Sequence, residues 1–337
     1  MIKVDIFSGF LGAGKTTLIK KLIKEAYAGQ KIVLIENEFG EIGIDGGFLK
    51  DAEIEIKEMN AGCICCSLTG DFRTALKQVA DTYAPDRIII EPSGVGKLSD
   101  VASAVMSTEG VDFELNGLVT IVDAGKCKIY MKNFGEFFDD QVSFAHTVIL
   151  SRTQKLTAGK VEEAASLLKA KNDKAAIVTA AWDAIDGKEI LAAIDGKDAL
   201  TEELHHMIHE HMEEDECDDP DCECHHHHHH DHDHEHHHHH HHHHDADEVF
   251  TSWGVETAKR YTEDEIKTVL KDFEDNEKFG FILRAKGIVE SSNGTWIHFD
   301  YTPGEVDIRT GSAALTGMLC VIGSKLNEDA VREEFKL

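Results

Sequence analysis

Residues Gly9-Phe10-Leu11-Gly12-Ala13-Gly14-Lys15-Thr16 fit the pattern G-x-x-x-x-G-K-[ST] without a gap. They follow an apolar run, Lys3–Phe7, and open a helical one, Thr17–Tyr27. That strand–loop–helix setting is the context the pattern requires. Glycines at such a turn let backbone N–H groups converge on an anion at a helix N-terminus, where the dipole favours negative charge. In this position Lys15 is expected to reach the outer phosphates of a nucleoside triphosphate, and the Thr16 hydroxyl to ligate Mg²⁺. A phosphate loop of this kind also dictates architecture, because it needs a buried strand behind it and a helix in front.

The flanking sequence agrees. Strand-like runs rich in Ile and Val recur at Lys3–Phe7, Ile32–Ile35, Arg87–Ile90, Leu118–Val122, Thr147–Leu150 and Ala176–Val178. Their nearly continuous apolarity suits parallel strands covered on both faces. Helical stretches at Asp71–Thr82 and Lys160–Lys171 fall between them. The expected fold class is therefore α/β, a P-loop NTPase parallel sheet with helices on both faces, over residues 1–200. Residues 249–337 read as a smaller C-terminal α+β domain. It has a capping box at Thr262-Glu263-Asp264-Glu265 before a helix to Phe273, strands at Phe281–Val289, Thr295–Asp300 and Met318–Ile322, and a last helix at Asn327–Phe335.

A hydrolysing P-loop protein needs a carboxylate at a strand end near Mg²⁺. Glu91 and Asp123 both end apolar runs. Glu91 is preferred as catalytic residue and Mg²⁺ ligand, because Glu91-Pro92-Ser93-Gly94 has the D/E-x-x-G form in which the Gly94 amide senses the terminal phosphate. The acidic, glycine-containing stretch 36–45 stands where a first switch loop would lie. For the base, guanine-specific proteins carry N-K-x-D after a later strand; here that place holds Ser151-Arg152-Thr153-Gln154. Arg152 can stack on a base and the Gln154 carbonyl can accept one hydrogen bond, but an amide lacks the charge-assisted pair of a carboxylate. GTP is the expected nucleotide, with reduced discrimination against ATP.

Gly62-Cys63-Ile64-Cys65-Cys66 places three thiols within four residues. Cys63 and Cys66 alone would allow a redox pair or half a zinc ribbon, but no second C-x-x-C follows to close a ribbon. Three soft thiolates suit Zn²⁺, and also Co²⁺, Ni²⁺ or Cu(I), and leave a fourth position open. Packed free cysteines and a redox or persulfide site are the alternatives.

Taken together, Gly9–Thr17, the Glu36–Asp45 stretch, the C-x-C-C motif and Ile90–Gly94 resemble the ordered motifs of the CobW-like family of metallochaperone P-loop GTPases. Arg284-Ala285-Lys286-Gly287 and Leu319–Gly323 resemble that family's C-terminal domain. The resemblance implies GTP hydrolysis coupled to delivery of zinc, cobalt or a related metal to a client metalloprotein. It implies Cys63, Cys65 and Cys66 as metal ligands, Gly12, Ala13, Gly14, Lys15, Thr16 and Thr17 as nucleotide- and Mg²⁺-binding residues, and Glu38 or Glu41 as groups that reach the transferred metal or Mg²⁺.

Between these halves, residues 201–248 are a different material. Twenty-one of the 23 histidines lie from His205 to His244, joined by Cys217, Cys222 and Cys224. The segment has seventeen Asp/Glu and no Lys or Arg, within a chain of net charge −29. With almost no large apolar side chain it reads as a disordered linker that captures metal ions. Imidazole ligates when neutral, so capture weakens below about pH 6. Such acidity argues against nucleic acid or an anionic membrane as partner. No run reaches the roughly 20 apolar residues of a membrane span, and the expected address is the cytoplasm. His146 and His298 are expected to be ordinary structural histidines. A homodimer is compatible with the sequence. Metal storage and an ATP-dependent kinase are the competing functional readings.

Overall fold

The run Ile2–Gly9 (β1) can be buried on both sides, and this decides its place. Val4 and Ile6 enter one core cluster and Phe7 another, on opposite faces of a single sheet. The computed structural model describes residues 1–37, 55–59, 69–195, 249–312 and 316–337. The stretch 38–45, the thiols Cys63, Cys65 and Cys66, and the tract 201–248 lie outside those residues.

The further strands of the first sheet are Ile32–Asn37 (β2), Glu55–Met59 (β3), Arg87–Glu91 (β4), Phe113–Asp123 (β5), Thr147–Ser151 (β6) and Ala176–Val178 (β7). Among the described residues they form a seven-stranded sheet in the order β3-β2-β4-β1-β5-β6-β7. Every pairing is parallel. Successive isoleucines of β4 show the two-sided burial: Ile88 and Ile90 join the cluster beneath helices Thr69–Tyr83 (α2) and Leu98–Met106 (α3), while Ile89 joins the one beneath Lys15–Glu25 (α1). Each such side chain stabilises the fold by about 1.5–3 kcal/mol. At the amino end of the sheet, buried Asp5 is paired with Arg87 and accepts hydrogen bonds from Asn116 at 2.7 Å and Tyr27 at 3.1 Å. This network closes the end opposite the phosphate loop.

The second sheet is antiparallel, in the order β11-β10-β9-β12-β8, from strands Phe250–Thr257 (β8), Phe281–Glu290 (β9), Trp296–Thr302 (β10), Glu305–Gly311 (β11) and Gly317–Ser324 (β12). Helices Glu263–Asp272 and Glu328–Glu334 cover one face around Phe273, Phe299 and Phe335. The capping box forms as read: Glu265 N donates to Thr262 Oγ1 at 3.2 Å, and Thr262 N donates to Glu265 Oε2 at 2.8 Å.

The two sheets share a core. Phe250, Leu283, Cys320 and Ile322 of the second belong to the main cluster of the first. Phe10, from the phosphate loop itself, stacks on Phe134 at 5.3 Å between ring centres, and Phe134 meets Phe250 and Phe281 at 5.4 Å each. The loop is thus seated on a shared aromatic floor.

Candidate nucleotide site

The loop from Gly9 to Thr16 joins β1 to α1, so backbone and side chains of one short segment converge at the carboxyl edge of the sheet. Lys15 is buried and its Nζ donates to the Gly9 carbonyl at 2.8 Å. Thr16 Oγ1 lies 2.9 and 3.1 Å from the two carboxylate oxygens of Glu91, which β4 brings to the same edge. A hydroxyl and a carboxylate side by side are hard oxygen donors and suit Mg²⁺. Asp123, the alternative acid, is engaged elsewhere: it takes an ion pair from Arg152 Nη1 at 2.5 Å and a hydrogen bond from Gly125 N at 2.9 Å.

The segment after Glu91 is held from two sides. A β-carbon on Gly94 would come within 2.7 Å of Leu11 N, so Gly94 lies directly against the phosphate loop. Gln141 Nε2, from the helix Gly135–Ser143, donates to the Gly96 carbonyl at 2.8 Å. Next to it, Asp140 accepts from Leu98 N at 2.6 Å and Ser99 N at 3.2 Å, closing the N-terminus of α3. Burial pushes the Asp140 carboxyl up to about 6, against the lowering effect of those hydrogen bonds.

At the other end of the site, Arg152 stands between Asp123 and Glu305, with Nη2 2.6 Å from Glu305. Burial raises the Glu305 carboxyl, but the hydrogen bond from Lys155 and the charge of Arg152 outweigh it and hold the group below the usual carboxylate range. Gln154 is exposed. Trp182 donates from Nε1 to the Leu150 carbonyl at 2.9 Å, and its ring lies 3.2 Å from where a Gly14 β-carbon would be. It packs against the phosphate loop at Gly14.

The second sheet forms the facing wall. Gly12, Lys15, Thr16, Glu91 and Arg152 line a cleft of about 510 Å³ together with Arg284, Asp300, Thr302, Glu305 and Asp307. This volume falls within the range of small-ligand sites. Thr302 packs its methyl over Gly12, and its hydroxyl accepts from Lys126 Nζ at 2.9 Å.

Residues 3–179 match the family described as CobW/HypB/UreG, nucleotide-binding domain, and residues 250–336 match the Cobalamin synthesis protein cobW C-terminal domain. The chain belongs to the CobW/HypB/UreG family. Among relatives, it is 33% identical over 192 residues to the zinc chaperone YjiA of Escherichia coli, covering 55% of this chain and 59% of that protein. It is 35% identical over 187 residues to the zinc chaperone CobW of a Sinorhizobium species, covering 47% and 52%. It is 26% identical over 237 residues to zinc-regulated GTPase metalloprotein activator 1 of Dictyostelium discoideum, covering 56% and 48%. The chain thus spans about half the length of the curated relatives it matches. A crystal structure of Zn(II)-bound YjiA GTPase from E. coli aligns over 99% of this chain and 98% of that one, at 20% identity and a TM-score of 0.41.

Of the residues singled out in the sequence, the structure gathers Gly12, Gly14, Lys15, Thr16, Thr17, Glu91 and Arg152 around one cleft. Cys63, Cys65, Cys66, Glu38 and Glu41 lie outside the described residues. Among the described residues no group of three or more His, Cys, Asp or Glu is arranged to hold a metal ion, and no helix is long and apolar enough to cross a membrane. His298 is buried with Nε2 2.9 Å from the Ser312 carbonyl, and His146 is buried. Asp300, Thr302, Glu305 and Asp307 carried no signal in the sequence, and for Trp182 the one hint was a tryptophan just past the last strand of the first sheet.

Proposed function

We propose that the chain is a GTP-hydrolysing metallochaperone that binds a transition metal at Cys63, Cys65 and Cys66 and delivers it to a client metalloprotein. The observation that carries this reading is the Thr16–Glu91 pair beside Lys15, on a chain of this family that also has a C-x-C-C motif. Zinc is the preferred cargo because relatives are named zinc chaperones, with cobalt and nickel as alternatives that thiolates also accept.

In this account Lys15 neutralises the outer phosphates, and Thr16 and Glu91 hold Mg²⁺. The ion supplies charge neutralisation of the β- and γ-phosphate oxygens when bound. Arg152 and Gln154 face the base, and Gly94 reads the terminal phosphate. With GTP bound, the stretch 36–45 and the segment after Glu91 engage the nucleotide, and Glu38 or Glu41 joins the thiols. Hydrolysis loosens the set and releases the ion, a two-state element biased by nucleotide. Residues 1–200 are the GTPase domain, 249–337 the C-terminal domain, and 201–248 a linker whose imidazoles and carboxylates collect metal for the thiols. The setting is cytoplasmic, and a homodimer is compatible with it.

The test is phosphate release from Mg²⁺-GTP and Mg²⁺-ATP, each with and without Zn²⁺, Co²⁺ and Ni²⁺, with Cys65→Ser run alongside. Metal-sensitive GTP turnover that Cys65→Ser abolishes supports the reading. Turnover of neither nucleotide, or turnover indifferent to metal and to Cys65, contradicts it.

The histidine-rich tract favours one second reading, a metal buffer with a minor nucleotide role. In that case deleting residues 205–244 removes metal tolerance in cells while Lys15→Ala leaves it intact. The chaperone reading expects Lys15→Ala to abolish client loading.

A further inference from the structure

The residues of Arg284-Ala285-Lys286-Gly287 divide cleanly between the two faces of β9. Ala285 is fully buried in the core of the second sheet, and Gly287 leaves room for the Phe299 ring, which a β-carbon there would strike. Arg284 points to the other face and lines the cleft with Lys15, Thr16 and Glu91. Asp300 on β10 holds its guanidinium by two hydrogen bonds, Nε to Oδ1 at 3.2 Å and Nη2 to Oδ2 at 2.8 Å. Two residues further along β10, Thr302 is fixed against Gly12 and Lys126. The side of the sheet that carries Arg284 is therefore held in place over the phosphate loop.

We infer that Arg284 is a catalytic arginine supplied in cis to the γ-phosphoryl group, with Asp300 as its positioning residue. The inference rests on the GTP-hydrolysis reading above. In that reaction a water oxygen bonds to the γ-phosphorus, and the bond from that phosphorus to the β–γ bridging oxygen breaks with its electron pair left on GDP. One water proton stays on the released phosphate and the other passes to solvent. Charge spreads over the equatorial oxygens in a loose transition state, and an arginine that meets it there accelerates the step. Lys15 approaches from the loop, and Arg152 is committed at the far end between Asp123 and Glu305. Arg284 brings a planar, always-charged fork from the opposite wall, the geometry suited to phosphoryl oxygens. Its pair with Asp300 is only partly buried, 23% and 32% exposed, so the guanidinium can turn to the phosphate without stranding a buried carboxylate.

The test compares wild type, Arg284→Ala and Arg284→Lys in the full chain. Three quantities are read: single-turnover hydrolysis of Mg²⁺-GTP, affinity for fluorescent GDP, and capture of GDP with aluminium fluoride, which mimics the phosphoryl group in flight. Arg284→Ala is expected to hydrolyse about a thousandfold more slowly and to lose the aluminium fluoride complex. Its GDP affinity should stay within about threefold of wild type, because the interaction belongs to the transition state. Arg284→Lys, which keeps the charge but not the fork, should remain at least tenfold slow. Wild-type rate and capture in Arg284→Ala would overturn the inference, as would a rate loss matched by an equal loss of GDP affinity. A wild-type chain that hydrolyses no GTP would remove the reading and the inference together.

Discussion

The methyl group of Thr302 fills the space that a side chain on Gly12 would need, so the phosphate loop and the second sheet meet at a glycine. Two glycines separate the components of that contact. Gly12 has φ +71° and is covered by Thr302; Gly29 has φ +84°, and a β-carbon there would meet nothing within 4 Å. Gly29→Ala should lose about 1–2 kcal/mol, the cost of a left-handed conformation alone. Gly12→Ala should lose about a further 1–3 kcal/mol from overpacking. Urea unfolding measures both, and equal losses would mean that the contact with Thr302 is absent in solution.

Thr16 and Glu91 touch each other, and as ligands of one ion they should fail together. Thr16→Ala and Glu91→Gln are each expected to raise the Mg²⁺ concentration for half-maximal binding of a fluorescent GTP analogue by about tenfold or more. The double variant should fall short of the sum, because the two groups share a partner. A Mg²⁺ titration decides it; additive losses would place the two on separate functions.

Much of this site was legible because its signals are local. The phosphate loop requires particular residues at fixed spacing, and the strands behind it are buried on both faces, so Ile88-Ile89-Ile90 reads as a strand from apolarity alone. What the sequence hid depends on long-range contacts. Glu55–Met59 and Glu305–Gly311 are edge strands; of the latter's residues Glu305, Asp307 and Arg309 are charged, as suits a protected edge. Glu55–Met59 lacks the apolar alternation by which strands are recognised, and Glu305–Gly311 shows it in only two apolar residues, Val306 and Ile308. Glu305 reaches Arg152 across more than a hundred and fifty positions of chain only because the second sheet docks on Phe10 and Phe134. Arg284 and Asp300 meet through the pairing of β9 with β10, whose register no local pattern of residues announces.

Base preference turns on Gln154, an exposed amide where a carboxylate would make two charge-assisted hydrogen bonds to guanine. Gln154→Glu keeps the length of the side chain and adds the charge. It should raise the preference for GDP over ADP by about tenfold, the difference between a neutral and a charge-assisted hydrogen bond. Competition binding with both nucleotides reads the ratio directly, and an unchanged ratio would move the base away from this segment.

Asp140 gives the fold a pH dependence of known sign. Its carboxyl is shifted by burial from an ordinary 3.8 up to about 6. An acid whose pKa is higher folded than unfolded favours the fold when protonated. Its contribution is complete below about 3.8 and is lost as pH rises through about 6. Wild type should therefore lose stability relative to Asp140→Asn between pH 4 and pH 7, in urea titrations, and carboxyl NMR should show a midpoint near 6. A midpoint near 4 would contradict the burial argument.

On the chaperone proposal, nucleotide state sets metal affinity at Cys63, Cys65 and Cys66. This coupling is tested most directly by titrating Zn²⁺ against a chromogenic chelator with the protein loaded either with a non-hydrolysable GTP analogue or with GDP, residues 205–244 having been deleted to remove competing imidazoles. The affinities are expected to differ several-fold, tighter with the GTP analogue, and the difference to vanish in Cys65→Ser. Equal Zn²⁺ affinities in the two nucleotide states would contradict the proposal.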